Sequence, residues 1–385
     1  MKKFLLSGLG VLLLSVLILS IWLAYIVHNL PDVSVLKNYR PSAAAEVLDK
    51  DGGVLTQFYD RKFRIWAPVS GLPEVIVHAV VTAEDDTFFE HKGVNYKAVR
   101  DAIVHDVQKH RFARGGSTIT QQMIKNVLLS KEKTIIRKIR EYVLAQRAEE
   151  LLTKRRILEI YLNEVEWGDN IYGIEAASRF YLDKHASELT VSEAALLAGM
   201  LPNPRYYNPF KRPDKAKTRQ DQVLFNMQQA RLITQDEYSA ALQVTMRLRQ
   251  EGSSRFDLSA LTRKNGRPCY QHALEELLLD MFGEQELYRS GQTIKTTIDK
   301  TLQDELAAWE NGLQAPELIA PDNIALIRQG AAIRAIICAA GKESVIRSKL
   351  ELMGSLASGY EVYVAGRNTI VREMLIRSDD GGISN

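Results

Sequence analysis

Glu84 closes an apolar helical stripe, with Val80 four and Val77 seven residues before it, a spacing that brings its carboxylate out at the edge of a core. Partial burial disfavours the charged form of a carboxylate and raises its basicity toward neutral pH, which suits it to take a proton from a hydroxyl. A solvated acid at a helix end has the same local pattern, so Glu84 gains meaning only in combination with Asp85, Phe88, His91 and Gly93. Further on, Gly115-Gly116-Ser117-Thr118-Ile119-Thr120-Gln121-Gln122 sets two glycines ahead of small hydroxyls and amides that open a helix. Amides at a helix N-terminus bind anions. Lys109, His110, Arg111, Arg114 and Lys125 flank this turn, which fits either a pyrophosphate cradle or a plain helix-opening loop. A third cluster is Arg137-Lys138-Ile139-Arg140-Glu141. Arg137 and Glu141 are four apart and can meet on one helix face, either as a surface pair contributing about a few tenths of a kcal/mol or as a cation and carboxylate that reach a phosphate or a metal.

These clusters need helices to hold them. Pro73 suits the first position of a helix, and Ile76, Val77, Val80 and Val81 supply its apolar stripe. Thr190-Val191-Ser192-Glu193 and Thr234-Gln235-Asp236-Glu237 are capping-box sequences that open two more helices, so the stretch from 73 to about 245 is expected to be mostly helical. Ahead of it, Ala45 to Leu55 is expected to form a hairpin turning at Asp51-Gly52. Behind it, Gln250 to Ser254 has linker composition, Tyr270 to Phe282 has a helical pattern, and Thr293 to Ile298 alternates like a strand.

The whole-chain properties narrow the classes. Among 385 residues, 50 basic side chains against 47 acidic ones give a net charge of +3, too balanced for general nucleic-acid binding. Cys269 and Cys338 are the only cysteines, which excludes a dense disulfide scaffold and any four-thiolate metal site. Met1-Lys2-Lys3 precedes an uncharged, largely apolar run from Phe4 to Val27, about enough helix to cross a ~30 Å hydrocarbon core. The run exceeds the core of a cleavable signal peptide, and the two lysines before it keep the N-terminus cytoplasmic and send the remainder across.

Taken in order, five motifs resemble those of glycosyltransferase family 51. They are Glu84 to Gly93; Gly115 to Gln122 with Lys125-Asn126; Arg137-Lys138 with Glu141; Arg155 to Asn163 with Trp167-Gly168 and Tyr172 to Ala177; and Ala194 to Pro204. The resemblance covers residues 45 to 215 strongly. It implies a mainly α fold: a lysozyme-like helical glycosyltransferase domain after an N-terminal transmembrane helix, with a small α+β remnant at the C-terminal side. The implied segments are a cytoplasmic tip (1–3), a transmembrane signal anchor (4–27), a connector (28–45) and the glycosyltransferase domain (46–248). A linker resembling the start of a transpeptidase region (249–312) and an unassigned tail (313–385) follow.

The resemblance makes Glu84 the base that deprotonates the acceptor's 4-hydroxyl and Glu141 a second carboxylate acting at the donor's diphosphate, with a divalent metal, Mg or Mn, at Glu141. Asp85, Phe88, His91, Thr118, Gln122, Lys125 and Arg137 match cleft residues of the family, and Gly116, Ser117 and Gln121 join them as substrate-binding positions in the glycine-rich turn. Asp86 departs from the pattern, since the family usually carries Arg there. The implied substrates are lipid II and the growing glycan strand, at the outer face of the cytoplasmic membrane, with other cell-wall synthesis proteins as partners. No transpeptidase activity is expected: the Ser-x-x-Lys at Ser130 to Lys133 falls between glycosyltransferase motifs, and Lys295-Thr296-Thr297 is not Lys-Thr-Gly. A catalytically impaired scaffold and a lysozyme-type hydrolase are the rival readings.

Overall fold

The computed structural model describes residues 2–59, 62–97, 100, 116–129, 134–250, 269–312, 325–329, 332–337 and 361–364. The basic stretch Lys109 to Arg114, Gly115, Ser130 to Lys133 and Cys338 therefore lie outside the described residues. The chain divides into two units, one of residues 1–40, 67–178 and 185–247, the other of 41–66, 179–184 and 248–385.

The first unit is helical. Helix α1 (Lys2–His28) carries the apolar run, and its side chains from Leu13 to Leu23 are exposed, as is Tyr25. The side chains of residues 1–12 lie outside the described ones, and among the described residues no helix is long and apolar enough to cross a membrane. After α1 a short 3-10 turn (Val33–Leu36) holds a second Ser-x-x-Lys spacing, Ser34 to Lys37, whose serine hydroxyl is bonded to Asp32.

Helix α2 (Glu74–Glu84) buries Ile76, Val77, Ala79, Val80 and Val81, the expected stripe. Pro73 is its N-cap instead of its first residue, because its backbone is still extended (ψ 139°). Helices α3 (Ile119–Leu128), α4 (Ile135–Leu151) and α5 (Lys154–Glu164) follow, each with a threonine at the N-cap accepting a backbone N–H. Next come α6 (Ile174–Leu182), α7 (Val191–Met200), α8 (Pro213–Gln229) and α9 (Gln235–Gln243). The capping boxes expected at Thr190 and Thr234 are both formed. Helix α7 is buried from Ala194 to Met200, as befits a helix apolar on every face, and it packs against α2 and α8. Gly199 permits that approach to α8: a Cβ there would sit 3.1 Å from Arg219 Cγ.

The second unit is α+β. Strands β1 (Ala45–Leu48) and β2 (Val54–Phe58) form an antiparallel hairpin, with Gly52 at φ 87° supplying the turn. Helix α10 (Cys269–Arg289) is interrupted at Gly283, and β3 (Thr293–Lys295) pairs in parallel with β1, Val47 opposite Ile294. Val47, Leu55 and Phe58 share a core with Leu274, Leu277, Leu278, Ile294 and Ile298. After α11 (Lys300–Gly312), strands β4 (Ala325–Gln329), β5 (Ala332–Ile337) and β6 (Glu361–Val364) form a second sheet in the order β5-β4-β6.

Candidate active site

Because α2 turns its valines inward, its last residue, Glu84, emerges half-buried. Burial pushes its carboxyl above the usual range, and the Asp85 charge adds to this; a hydrogen bond from Gln122 and the charges of Arg219 and Lys125 oppose it. Gln122 Nε2 donates to Glu84 Oε2 at 2.7 Å. The carboxylate faces a cavity of about 590 Å³ lined also by Asp86, Asn95, Gly116, Ser117, Tyr207, Arg219 and Asn226.

Asp85 ties the end of α2 to the start of α3. Its Oδ2 accepts the backbone N–H of Ile119, the first residue of α3, at 3.0 Å, and His91 Nε2 lies 2.9 Å from the same oxygen. An acid at a helix N-terminus is favoured by the exposed amides and the helix dipole. Thr118 caps α3 in a box with Gln121, and its hydroxyl donates to the Gly93 carbonyl at 2.7 Å. Gly93 is required there: its φ is 84°, and a Cβ would lie 2.7 Å from the Ala145 carbonyl oxygen of α4.

Several residues expected at the substrate therefore serve the frame behind it. Phe88 is fully buried with the Lys154 ammonium 4.3 Å from its ring centre, and it is not among the residues that line the Glu84 cavity. Gln121 is fully buried in the capping box. His91 is spent on Asp85, and among the described residues its buried Nδ1 meets no hydrogen-bond partner. In the type-and-spacing pattern these look the same as cleft residues, because burial is set by the packing of α3 and α4 and not by the motif itself.

On α4, Glu141 is buried between two cations. Arg137 Nη1 contacts Oε1, and Lys138 Nζ donates to Oε2 at 3.0 Å and to Ser117 Oγ at 2.8 Å. Burial, then the charges of Arg137 and Lys125, lower the Lys138 ammonium to about 8. Lys138 thus links Glu141 to the glycine-rich turn that lines the cavity. The i,i+3 spacing of Lys138 to Glu141 is the one local signal in the sequence for this role. Arg219, Asn226 and Tyr207 were not anticipated, and nothing in local spacing marks them.

The expected divalent ion does not fit a protein-built site at Glu141. Both carboxylate oxygens already meet cations, and among the described residues no three of His, Cys, Asp or Glu gather to hold a metal. What the arrangement supplies is a basic carboxylate, Glu84, with Lys125 close enough to act on both it and Lys138, and Arg137 beside Lys138, groups suited to moving a proton and neutralising a departing anion.

Residues 51–228 match the family model described as Transglycosylase, so this stretch is a domain of that family. The chain is 34% identical over 303 residues to penicillin-binding protein 1A of Aquifex aeolicus, covering 79% of this chain and 40% of that protein. It is 34% identical over 291 residues to the protein of that name from Neisseria lactamica (76% and 35%) and 32% identical over 302 residues to that of Vibrio cholerae (78% and 36%). The chain spans two fifths or less of the length of these relatives. Among solved structures, penicillin-binding protein 1A from Haemophilus influenzae aligns with 70% of this chain and 28% of its own, with 20% identity and a TM-score of 0.38.

Proposed function

We propose that this chain is a peptidoglycan glycosyltransferase that polymerises lipid II into β-1,4-linked glycan strands and releases undecaprenyl diphosphate. The observation that carries this reading is Glu84, a half-buried carboxylate of raised basicity, held by Gln122 at a cavity within the transglycosylase domain. The acceptor's 4-hydroxyl gives its proton to Glu84 as its oxygen attacks the anomeric carbon of the donor sugar. The bond from that carbon to the diphosphate oxygen breaks, and the anomeric configuration inverts. The diphosphate leaves with the bonding pair, stabilised by Lys125, Arg137 and Lys138, while Glu141 keeps the latter two aligned. No step is assigned to a metal.

The anchor at residues 4–27 belongs to the same proposal, supported by the length and apolarity of the run and by the lysines before it. It would hold domain 46–248 on the outer face of the cytoplasmic membrane, where both lipid-linked substrates are confined and where other cell-wall synthesis proteins would meet it. The test is incubation of the purified chain with lipid II. Polymer supports the proposal, while cleaved oligosaccharide would indicate a hydrolase and no reaction a scaffold.

A further inference from the structure

Tyr161 sits in the middle of α5, fully buried. A buried phenol hydroxyl needs a partner. Among the described residues that partner is Gln122 Oε1, at a long 3.4 Å, and the other end of the same amide donates to Glu84 at 2.7 Å. An amide side chain has one accepting and one donating end, so what holds the first determines what the second presents. With the phenol donating to the carbonyl, the N–H faces the carboxylate. Turning the amide over would set a carbonyl against Glu84 and leave the phenol proton without an acceptor.

We propose that Tyr161 is a positioning residue for the base: acting through Gln122, it keeps an N–H aimed at Glu84 and so sets the pH at which Glu84 becomes able to take a proton. The proposal rests on Glu84 being the base. Other charged groups facing Glu84 are Asp85 beside it, Lys125 on α3 and Arg219 on α8. Burial, together with the Glu84 and Asp85 charges, pushes the Tyr161 hydroxyl well above its ordinary value, so it remains a donor throughout the working range. Removing the hydroxyl strips the carbonyl of its donor, weakens the polarised N–H and frees the amide to turn. The charged carboxylate loses support, and Glu84 holds its proton to higher pH.

The test compares the full chain with Tyr161→Phe, Gln122→Met and the double variant. Phenylalanine keeps the ring in the core. Two readouts are taken: the pH profile of polymerisation from a lipid-linked disaccharide, and ¹³C NMR titration of labelled glutamate carboxyls, with Glu84 assigned by its loss in Glu84→Gln. Tyr161→Phe is expected to raise both the acid limb and the Glu84 titration by about half a pH unit, and to add nothing in the Gln122→Met background. An unmoved titration overturns the inference, as does an equal shift without Gln122. A titration that moves while the acid limb stays would uphold the contact chain but remove Glu84 as the base, which separates failure of the earlier reading from failure of this one.

Discussion

Replacing Glu141 by glutamine removes one negative charge from between two cations while keeping the side chain's shape. The carboxylate side chain is 3% exposed, whereas Arg137 and Lys138 are 16% and 36% exposed, so solvent screens part of the loss and the fold should survive. The larger effect falls on Lys138. Its ammonium already titrates near 8, and losing an anion 3.0 Å away lowers it further, by about one unit once screening is allowed for. At pH 7.5 the protonated fraction would then fall from roughly three quarters to roughly one quarter. In the proposed reaction the positive charge meets the diphosphate, so activity is expected below the lysine's titration and lost as pH rises through it. The alkaline limb of the polymerisation profile should move from near 8 to near 7. Lipid II polymerisation measured between pH 6 and 9, with near-UV circular dichroism as a check on the fold, decides the matter. An alkaline limb that stays in place in a folded Glu141→Gln variant would refute the proposed coupling.

Other expectations follow from the same geometry. Glu84→Gln should lower polymerisation by about 10²–10⁴-fold, the usual contribution of a general base, without lowering the melting temperature, because glutamine fills the same space; near-wild-type rates would remove Glu84 from the reaction. Gly93→Ala should destabilise the first unit by about 2–4 kcal/mol in denaturant titration, since it joins a strained positive φ to a clash with the Ala145 carbonyl. Fluorescent penicillin should leave no covalent band on these 385 residues, because Ser34 is bonded to Asp32 in its turn and Ser130 lies between glycosyltransferase motifs; a band lost in a Ser→Ala variant would show an acylable serine.

Where a feature depended on neighbours in sequence, it was legible. The α2 stripe that ends at Glu84, the boxes at Thr190 and Thr234 and the turn at Gly52 are all set within a few residues, and all are formed. The helix expected over Tyr270 to Phe282 begins one residue earlier, at Cys269, and Gly283, at φ 76° and ψ 167°, breaks it where the pattern stops, before a further helical stretch to Arg289. What local pattern could not supply is depth. Phe88 and Gln121 sit in motifs full of cleft residues, yet α3 and α4 close over them. Nor could it supply convergence: Arg219 reaches the cavity because Gly199, twenty residues earlier, admits α8 closely, and Tyr161 meets Gln122 because α5 packs on α3.

The parallel pairing of β1 with β3 has a temporal consequence. Phe58, the end of the hairpin, is made 235 or more residues before Ile294 and its neighbours can complete the sheet, an interval of about 12–50 s at ordinary synthesis rates. The helical unit has time to collapse first, its chain being complete by residue 247. Throughout that delay the nascent hairpin keeps an open edge on β1 and an uncovered Val47, Leu55 and Phe58, the conditions under which strands join the wrong partner. The second unit is therefore where crowding of nascent chains would do its damage, and where a chaperone would have most to shield.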